Sequence, residues 1–96
     1  MSQPEMTVSS DGSKLWILNG DYHREDGPAV ERSKGSKFWY LNGKLHREDG
    51  PAVEYDDGTK YWYLHGEEVT WQQLFRQANG DLEKECRILT YALTNG

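Results

Sequence analysis

Two identical tetrapeptides carry the side chains best suited to chemistry. The sequence His-Arg-Glu-Asp occurs at His23–Asp26 and again at His46–Asp49, and Gly-Pro follows each copy. A histidine beside two carboxylates is typical of a general base, a divalent-metal site or a nuclease centre. An active site needs one asymmetric pocket, whereas this set occurs twice, and copies about 10 Å apart cannot share a metal ion. We therefore predict no catalytic residue, no metal site and no cofactor, and a metal-dependent hydrolase or nuclease is the least favoured interpretation.

The favoured interpretation of the tetrapeptides is structural, and a binding ridge is its alternative. In the structural one, Asp26 and Asp49 accept backbone donors within the loop, while the His, Arg and Glu side chains pair within or between copies. In the other, the stacked loops form a row of donors suited to an acidic peptide, a phosphate or a nucleotide. The residues of this row are His23, Arg24, His46 and Arg47. Each arginine also stands beside its own Glu and Asp, which can satisfy it.

The tetrapeptides lie within a longer repeat whose period is 23 residues. Trp16, Trp39 and Trp62 keep this spacing, and so do two series of glycines. These glycines are Gly12, Gly35 and Gly58, and Gly20, Gly43 and Gly66. A repeat of this length predicts a stacked array in which each unit buries its apolar face against its neighbours. The recurring tryptophans are accordingly predicted to lie in the core.

Each repeat is predicted to form antiparallel strands joined by tight turns. The long strands alternate in side-chain character, and each short strand follows a proline. The predicted strands are a degenerate first strand over 6–9, the long strands Lys14–Leu18, Lys37–Leu41 and Lys60–Leu64, and the short strands Ala29–Arg32 and Ala52–Tyr55. Asp-Gly and Asn-Gly pairs separate them, and we expect primed hairpin turns there because glycine accepts positive φ.

The long strands carry apolar side chains on both faces. One face presents the tryptophans, and the other presents an aromatic row. The residues of this row are Phe38, Tyr40, Tyr61 and Tyr63. The row is either covered by the C-terminal segment or open as a contact surface of the kind enriched at protein interfaces, and both alternatives stay open. Exposure would indicate a partner or self-association.

Helical periodicity replaces the repeat pattern after Gly66. Thr70 and Gln73 have the spacing of a capping box, and Asn79-Gly80 is a helix stop. A second apolar face then recurs at helical spacing. Its residues are Leu82, Cys86, Leu89 and Leu93, with Ile88 and Ala92 alongside. We therefore predict two helices that cover the open end of the sheet, with Cys86 buried as a small apolar side chain.

Together these features predict one α+β domain over 1–96. It consists of a twisted antiparallel β-meander of stacked 23-residue hairpin repeats over 6–66, capped by two C-terminal α-helices over 70–94.

The second repeat resembles a known repeat family. The stretch from Trp39 to Lys60 reads W-Y-L-N-G-K-L-H-R-E-D-G-P-A-V-E-Y-D-D-G-T-K. Its period, its aromatic residue before Asn-Gly, its following His and its Asp-Gly are similar to the MORN (membrane occupation and recognition nexus) repeat, in the divergent form of bacterial and phage proteins. The resemblance covers about Gly12–Gly66 and implies a sheet of stacked hairpins that serves mostly as a protein-interaction scaffold. His-Arg-Glu-Asp-Gly replaces the family's His-Gly, and the helical tail has no counterpart in the repeat.

Charge and cysteine content restrict the partners and the compartment. The net charge of −5, from 16 acidic and 11 basic residues, argues against direct binding to nucleic acid and against attraction to an anionic membrane. A single cysteine excludes an intrachain disulfide, and no apolar run is long enough to span a bilayer. We expect a cytoplasmic protein, in the host cytoplasm if a phage encodes it.

These observations favour a non-enzymatic module that binds a protein partner, or a second copy as a homodimer. Its contact surface would be the aromatic sheet face, the charged loop ridge or the C-terminal helices. The alternative is a small acidic inhibitor of phage type that blocks a host or defence factor. Such an inhibitor would act as an anti-CRISPR protein or a nucleic-acid mimic does, or would sequester a small charged ligand.

Overall fold

Ten short strands precede two helices in the computed structural model, which describes residues 3–94. The ends of the predicted domain, 1–2 and 95–96, lie outside the described residues. The strands are β1 (Glu5–Val8), β2 (Lys14–Leu18), β3 (Asp21–Tyr22), β4 (Val30–Glu31), β5 (Lys37–Phe38), β6 (Tyr40–Leu41), β7 (Lys44–Leu45), β8 (Val53–Glu54), β9 (Lys60–Leu64) and β10 (Glu67–Val69). The helices are α1 (Trp71–Ala78) and α2 (Leu82–Thr94). Many antiparallel strands followed by two C-terminal helices confirm the predicted α+β class.

The strands pair antiparallel, and their order across the sheet is their order in the sequence. Eight strands form one sheet in the order β1-β2-β4-β5-β8-β9-β10, with β3 paired to β2, while β6 and β7 form a separate hairpin. One row of directly paired residues crosses the sheet, and directly paired residues share a face. This row consists of Leu15, Val30, Phe38, Val53 and Tyr61. Since Trp16 and Trp62 each follow a member of the row, they lie on the opposite face.

The predicted long strand Lys37–Leu41 is divided at Trp39. The amide of Trp39 donates to the carbonyl of Ala52 at 2.8 Å, and its carbonyl accepts from the amide of His46 at 3.0 Å. The backbone of this tryptophan therefore bonds in two directions. Strand β5 before it pairs with β4 and β8, whereas β6 after it pairs with β7.

Two kinds of turn join the strands. In the first kind, both central residues have positive φ, as a primed two-residue turn requires, and the second of them is a glycine. The first residues of these turns are Asn19, Asn42 and His65. The predicted primed geometry is wrong for Asp57-Gly58 and for Asp11-Gly12, where only the glycine has positive φ. There the Asp11 carboxylate accepts from the Ser9 hydroxyl and from the Ser13 amide, which lowers the Asp11 pKa to about 2 and favours a three-residue loop.

The apolar core lies between β9 and the two helices. Trp62, Leu74 and Ile88 are buried there. The half-buried side chains packed against them are Leu64, Val69, Trp71, Phe75, Ala78 and Tyr91. The prediction of core tryptophans is thus confirmed for Trp62, whereas Trp16 and Trp39 are only half-buried.

Helix α1 begins at the predicted capping box. The Thr70 hydroxyl accepts from the Gln73 amide at 3.1 Å, and the Gln73 side-chain oxygen accepts from the Thr70 amide at 2.8 Å. The helix ends at Asn79, whose φ of 52° reverses the chain before Gly80. This short connection places α2 directly after α1.

Helix α2 buries only the part of the predicted apolar face that contains Ile88. Ile88 is fully buried, whereas the predicted stripe is exposed, namely Leu82, Cys86, Leu89 and Leu93. The prediction of a buried Cys86 is therefore wrong. The physical reason is that Ile88 packs with Trp62 and Leu74 in the core, and Lys84 and Arg87 form ion pairs with the tetrapeptide His46–Asp49 from the same side of the helix.

Candidate functional site

The two tetrapeptides begin two loops, which we call loop 1 (His23–Pro28) and loop 2 (His46–Pro51). In loop 2, the guanidinium of Arg47 lies 3.9 Å from the ring centroid of Trp39. Its Nε donates to Asp49 at 3.0 Å, and its Nη1 donates to Glu54 and to the carbonyl of Pro51, both at 3.1 Å. The arginine therefore ties the loop to a tryptophan below it and to strand β8 beside it.

Loop 1 has the same internal arrangement, with each residue 23 positions earlier. The guanidinium of Arg24 lies 3.9 Å from the ring centroid of Trp16. It donates to Asp26 at 3.0 Å, to the carbonyl of Pro28 at 3.1 Å and to Glu31 at 3.3 Å. The aspartate carboxylates thus accept from the arginine, rather than from the backbone donors that the sequence predicted.

The histidines join each loop to the following turn. The Nδ1 atom of His23 accepts from the Asn42 amide, and that of His46 accepts from the His65 amide, both at 3.0 Å. Because Nδ1 accepts, the ring proton of the neutral histidine lies on Nε2, which donates to Glu48 at 3.2 Å in loop 2. Both histidine side chains are buried. The predicted pairing of His with Glu thus exists within loop 2, whereas the bonds from one copy to the next run from a backbone amide to a histidine.

The four residues predicted as a donor row do lie together, but their donors point inward. The arginines bind their own loops and tryptophans, and each histidine holds the turn that follows. Among the described residues, no buried polar side-chain atom lacks a hydrogen-bond partner. The groups that face outward from loop 1 are the carboxylates of Glu25 and Asp26. The side-chain groups that loop 1 presents to solvent are accordingly acidic.

A cleft of about 790 Å³ lies between the two loops and α2. Loop 1 forms one wall, Trp39 and Asn42 contribute to its lining, and Lys84 and Arg87 of α2 line it as well. Its charged side chains therefore include both signs.

Three side chains of α2 cover loop 2, and sequence reasoning missed all of them. The Nζ atom of Lys84 donates to Glu48 at 2.7 Å, and Arg87 lies 3.5 Å from Asp49. The hydroxyl of Tyr91 accepts from Arg47 Nη2 at 3.1 Å. Their spacing of three and four residues along one helix face is the only sequence signal that could have grouped them.

The Lys84–Glu48 pair also shifts the ionisation of both groups. The hydrogen bond from Lys84 lowers the pKa of Glu48 below its ordinary value, although partial burial opposes this shift. The same bond raises the pKa of Lys84 above its ordinary value. Both shifts favour the charged forms and hence the contact between α2 and loop 2.

Within the described range 3–94 no helix covers loop 1 as α2 covers loop 2, and this is the main difference between the two loops. The side chain of Asp26 is 87% exposed, whereas that of Asp49 is 32% exposed. The side chain of Arg24 is 22% exposed, against 10% for Arg47. Two loops with one internal geometry thus differ in what covers them.

Three members of the predicted aromatic row, Phe38, Tyr61 and Tyr63, lie on the sheet face away from the helices. Tyr40 lies in the separate hairpin of β6 and β7, where its ring packs against Tyr22 with a centroid distance of 5.3 Å. Tyr61 is 41% exposed, while the other members are half-buried, namely Phe38, Tyr40 and Tyr63. Sequence reasoning missed Tyr55, which packs edge-to-face between Phe38 and Tyr61 with centroid distances of 5.9 Å. The row is therefore partly open, because α1 and α2 pack on the Trp62 side of β9.

Within residues 3–94, no group of three or more His, Cys, Asp and Glu side chains is placed to hold a metal ion. None of the helices over this range is long and apolar enough to cross a membrane. Comparison of the chain with protein-family models, with curated proteins and with solved structures gave no match.

Proposed function

We propose that this protein is a non-enzymatic protein-interaction module built on stacked MORN-like hairpin repeats. The observation that carries the proposal is the difference between the two loops. Loop 2 is covered by Lys84, Arg87 and Tyr91 of the chain's own helix. Loop 1 has the same framework and presents Glu25 and Asp26 to solvent. A surface that binds a helix in one copy and stays open in the other is well suited to a partner.

The inward direction of the histidines and arginines also supports binding over catalysis. A general base needs an available nitrogen near its substrate. Here Nδ1 of each histidine accepts from a backbone amide, and each arginine binds its own loop. These groups build the surface, while the outward carboxylates complement basic side chains of a partner.

A small acidic inhibitor is the second candidate, and the same outward carboxylates support it. Glu25 and Asp26 lie on a chain of net charge −5, so the surface is suited to a basic site of a host or defence factor. Release of the captured partner by added nucleic acid would favour this candidate over a general interaction module.

Affinity capture from the native host tests the proposal. The bait proteins are the wild type, the Glu25→Lys/Asp26→Lys variant, and a control that carries the same charge change at the exposed Glu67 and Glu68. We expect the wild type and the control to retain the same protein and the loop 1 variant to lose it. Equal retention by all three baits, or no retained protein, would overturn the proposal. Circular dichroism checks that each bait is folded.

A further inference from the structure

The contacts between α2 and loop 2 define a fixed spacing of binding side chains along the helix. Lys84, Arg87 and Tyr91 stand at positions i, i+3 and i+7 of the helix, and positions three and four apart lie on one face. They contact Glu48, Asp49 and Arg47, respectively. A helix that presents two cations and an aromatic hydroxyl at this spacing therefore fits a His-Arg-Glu-Asp loop.

Loop 1 offers the equivalent acceptors and donor. Glu25 and Asp26 correspond to Glu48 and Asp49, and Arg24 holds the position of Arg47 over a tryptophan. The glycines after each tetrapeptide show where the aromatic ring fits. A Cβ atom at Gly50 would lie 2.9 Å from the Tyr91 ring, whereas the three atoms nearest to a Cβ at Gly27 all belong to Arg24. No ring thus packs as closely on Gly27.

The cleft lies at the position where such a helix would pack. Strand β4 lies between β2 and β5 in the sheet, so β2 and β5 are about 9.6 Å apart at the usual strand spacing. Packed helices lie about 8–10 Å apart. A helix seated on loop 1 in the manner of α2 on loop 2 would therefore lie beside α2, within the cleft that loop 1, Lys84 and Arg87 line.

We propose that loop 1 binds an amphipathic helix of a partner protein that presents Lys or Arg at positions i and i+3 and a tyrosine at i+7. This inference rests on the proposed function and specifies its partner. The cations contact Glu25 and Asp26, and the aromatic ring packs on Gly27 with its hydroxyl accepting from Arg24. The partner helix lies alongside α2.

A peptide with the sequence of residues 81–94 provides a direct probe. Short isolated helices are marginal in water, so a hydrocarbon staple joins positions 82 and 86, which face solvent in the folded chain. The peptide contains three acidic and two basic residues, so net attraction to this acidic protein cannot explain its binding. A matched control peptide has the same composition and staple, with Lys84, Arg87 and Tyr91 moved off their shared face.

Fluorescence anisotropy of the labelled peptide measures its binding to the full-length protein. We expect saturable binding to the wild type, about tenfold weaker binding to Glu25→Lys/Asp26→Lys, and no binding of the control peptide. A peptide with Lys84→Glu and Arg87→Glu should fail on the wild type and recover on the charge-reversed protein.

Two results would overturn the inference. Equal binding of the stapled peptide to both proteins would place it at loop 2 by exchange with α2, and absence of binding would exclude a helix of this pattern. If host capture still depends on Glu25 and Asp26 in either case, the interaction module stands and only its helical partner is rejected. If that dependence is also absent, the proposed function fails with it.

Discussion

The guanidinium of Arg47 lies 3.9 Å from the ring centroid of Trp39, and the two side chains together form the base of loop 2. Arg24 and Trp16 form the same pair in loop 1, also at 3.9 Å. The tryptophan thus has an apolar side toward the sheet and a cation above its ring, which explains why Trp16 and Trp39 are half-buried.

Replacing the two arginines should therefore have unequal effects. Arg47→Ala leaves Glu54 without its donor, leaves Asp49 with only the longer contact to Arg87, and removes the contact with Tyr91, so we expect a loss of about 3 kcal/mol in the free energy of unfolding. Arg24→Ala should cost about 1 to 2 kcal/mol because its partners are more exposed. Urea unfolding followed by tryptophan fluorescence measures both values. Equal losses would show that the covering by α2 adds nothing to the Arg47 site.

The bond from the His65 amide to His46 Nδ1 predicts a distinct pattern of substitutions. An asparagine side chain places its oxygen near the position of Nδ1, whereas a glutamine places its oxygen near Nε2. We expect His46→Gln to lose about 1 to 2 kcal/mol of stability because the His65 amide remains without an acceptor, and His46→Asn to lose less. Chemical denaturation of the two variants compares them. A glutamine variant at least as stable as the asparagine variant would contradict the role of Nδ1.

The Lys84–Glu48 pair predicts a pH-dependent coupling between α2 and loop 2. Glu48 has a lowered pKa in the folded protein, so its contribution is present above its ordinary value of 4.5 and is lost as the pH falls through the lowered value. Lys84 has a raised pKa, so its contribution is present below 10.5 and is lost as the pH rises through the raised value.

A double-mutant cycle with Glu48→Gln and Lys84→Met measures this coupling. We expect a favourable coupling near neutral pH that disappears in acid, and the single Glu48→Gln variant should show less loss of stability on acidification than the wild type. A coupling of the same size at about pH 2 would contradict the ion pair as its source.

Truncation of side chains on the two faces of α2 should reduce stability by unequal amounts. Ile88→Ala removes a fully buried side chain and should cost about 3 kcal/mol in the free energy of unfolding, whereas Leu89→Ala on the open face should stay within about 1 kcal/mol of the wild type.

Cys86 should react with a thiol reagent in the folded protein nearly as fast as in urea, because it is exposed. A protected Cys86 that becomes reactive on dilution would indicate that this stripe is covered by a second copy.

Local patterns carried most of the correct sequence predictions. The capping box needs only Thr70 and Gln73, and the primed turns that begin at Asn19 and Asn42 need only the glycine that follows, so neighbouring residues suffice to place them. The tetrapeptides were found as candidates because their residues are contiguous. The geometry of the Asp11-Gly12 turn was missed because the Asp11 carboxylate bonds to the Ser13 amide and selects a longer loop than the primed turn.

The contacts over loop 2 were missed because they join distant parts of the chain. Lys84 is 36 residues from Glu48, and Tyr91 is 44 residues from Arg47. Nothing in the local sequence links these partners. Apolar periodicity groups Leu82, Cys86, Leu89 and Leu93 with Ile88 and Ala92 in one broad face of α2. It does not show that only the side of this face with Ile88 turns toward the sheet.

The hydrogen bonds from one loop to the next turn have a consequence for how such a chain can lengthen. Each segment of 23 residues supplies its own tryptophan, arginine and carboxylates, and it takes one acceptor, the histidine, from the segment before it. A tandem duplication of residues 24–46 in the gene would therefore add a module whose amide meets an existing histidine and whose histidine meets an existing amide. Insertions of other lengths would leave one of these groups without its counterpart, so the architecture favours growth by whole modules.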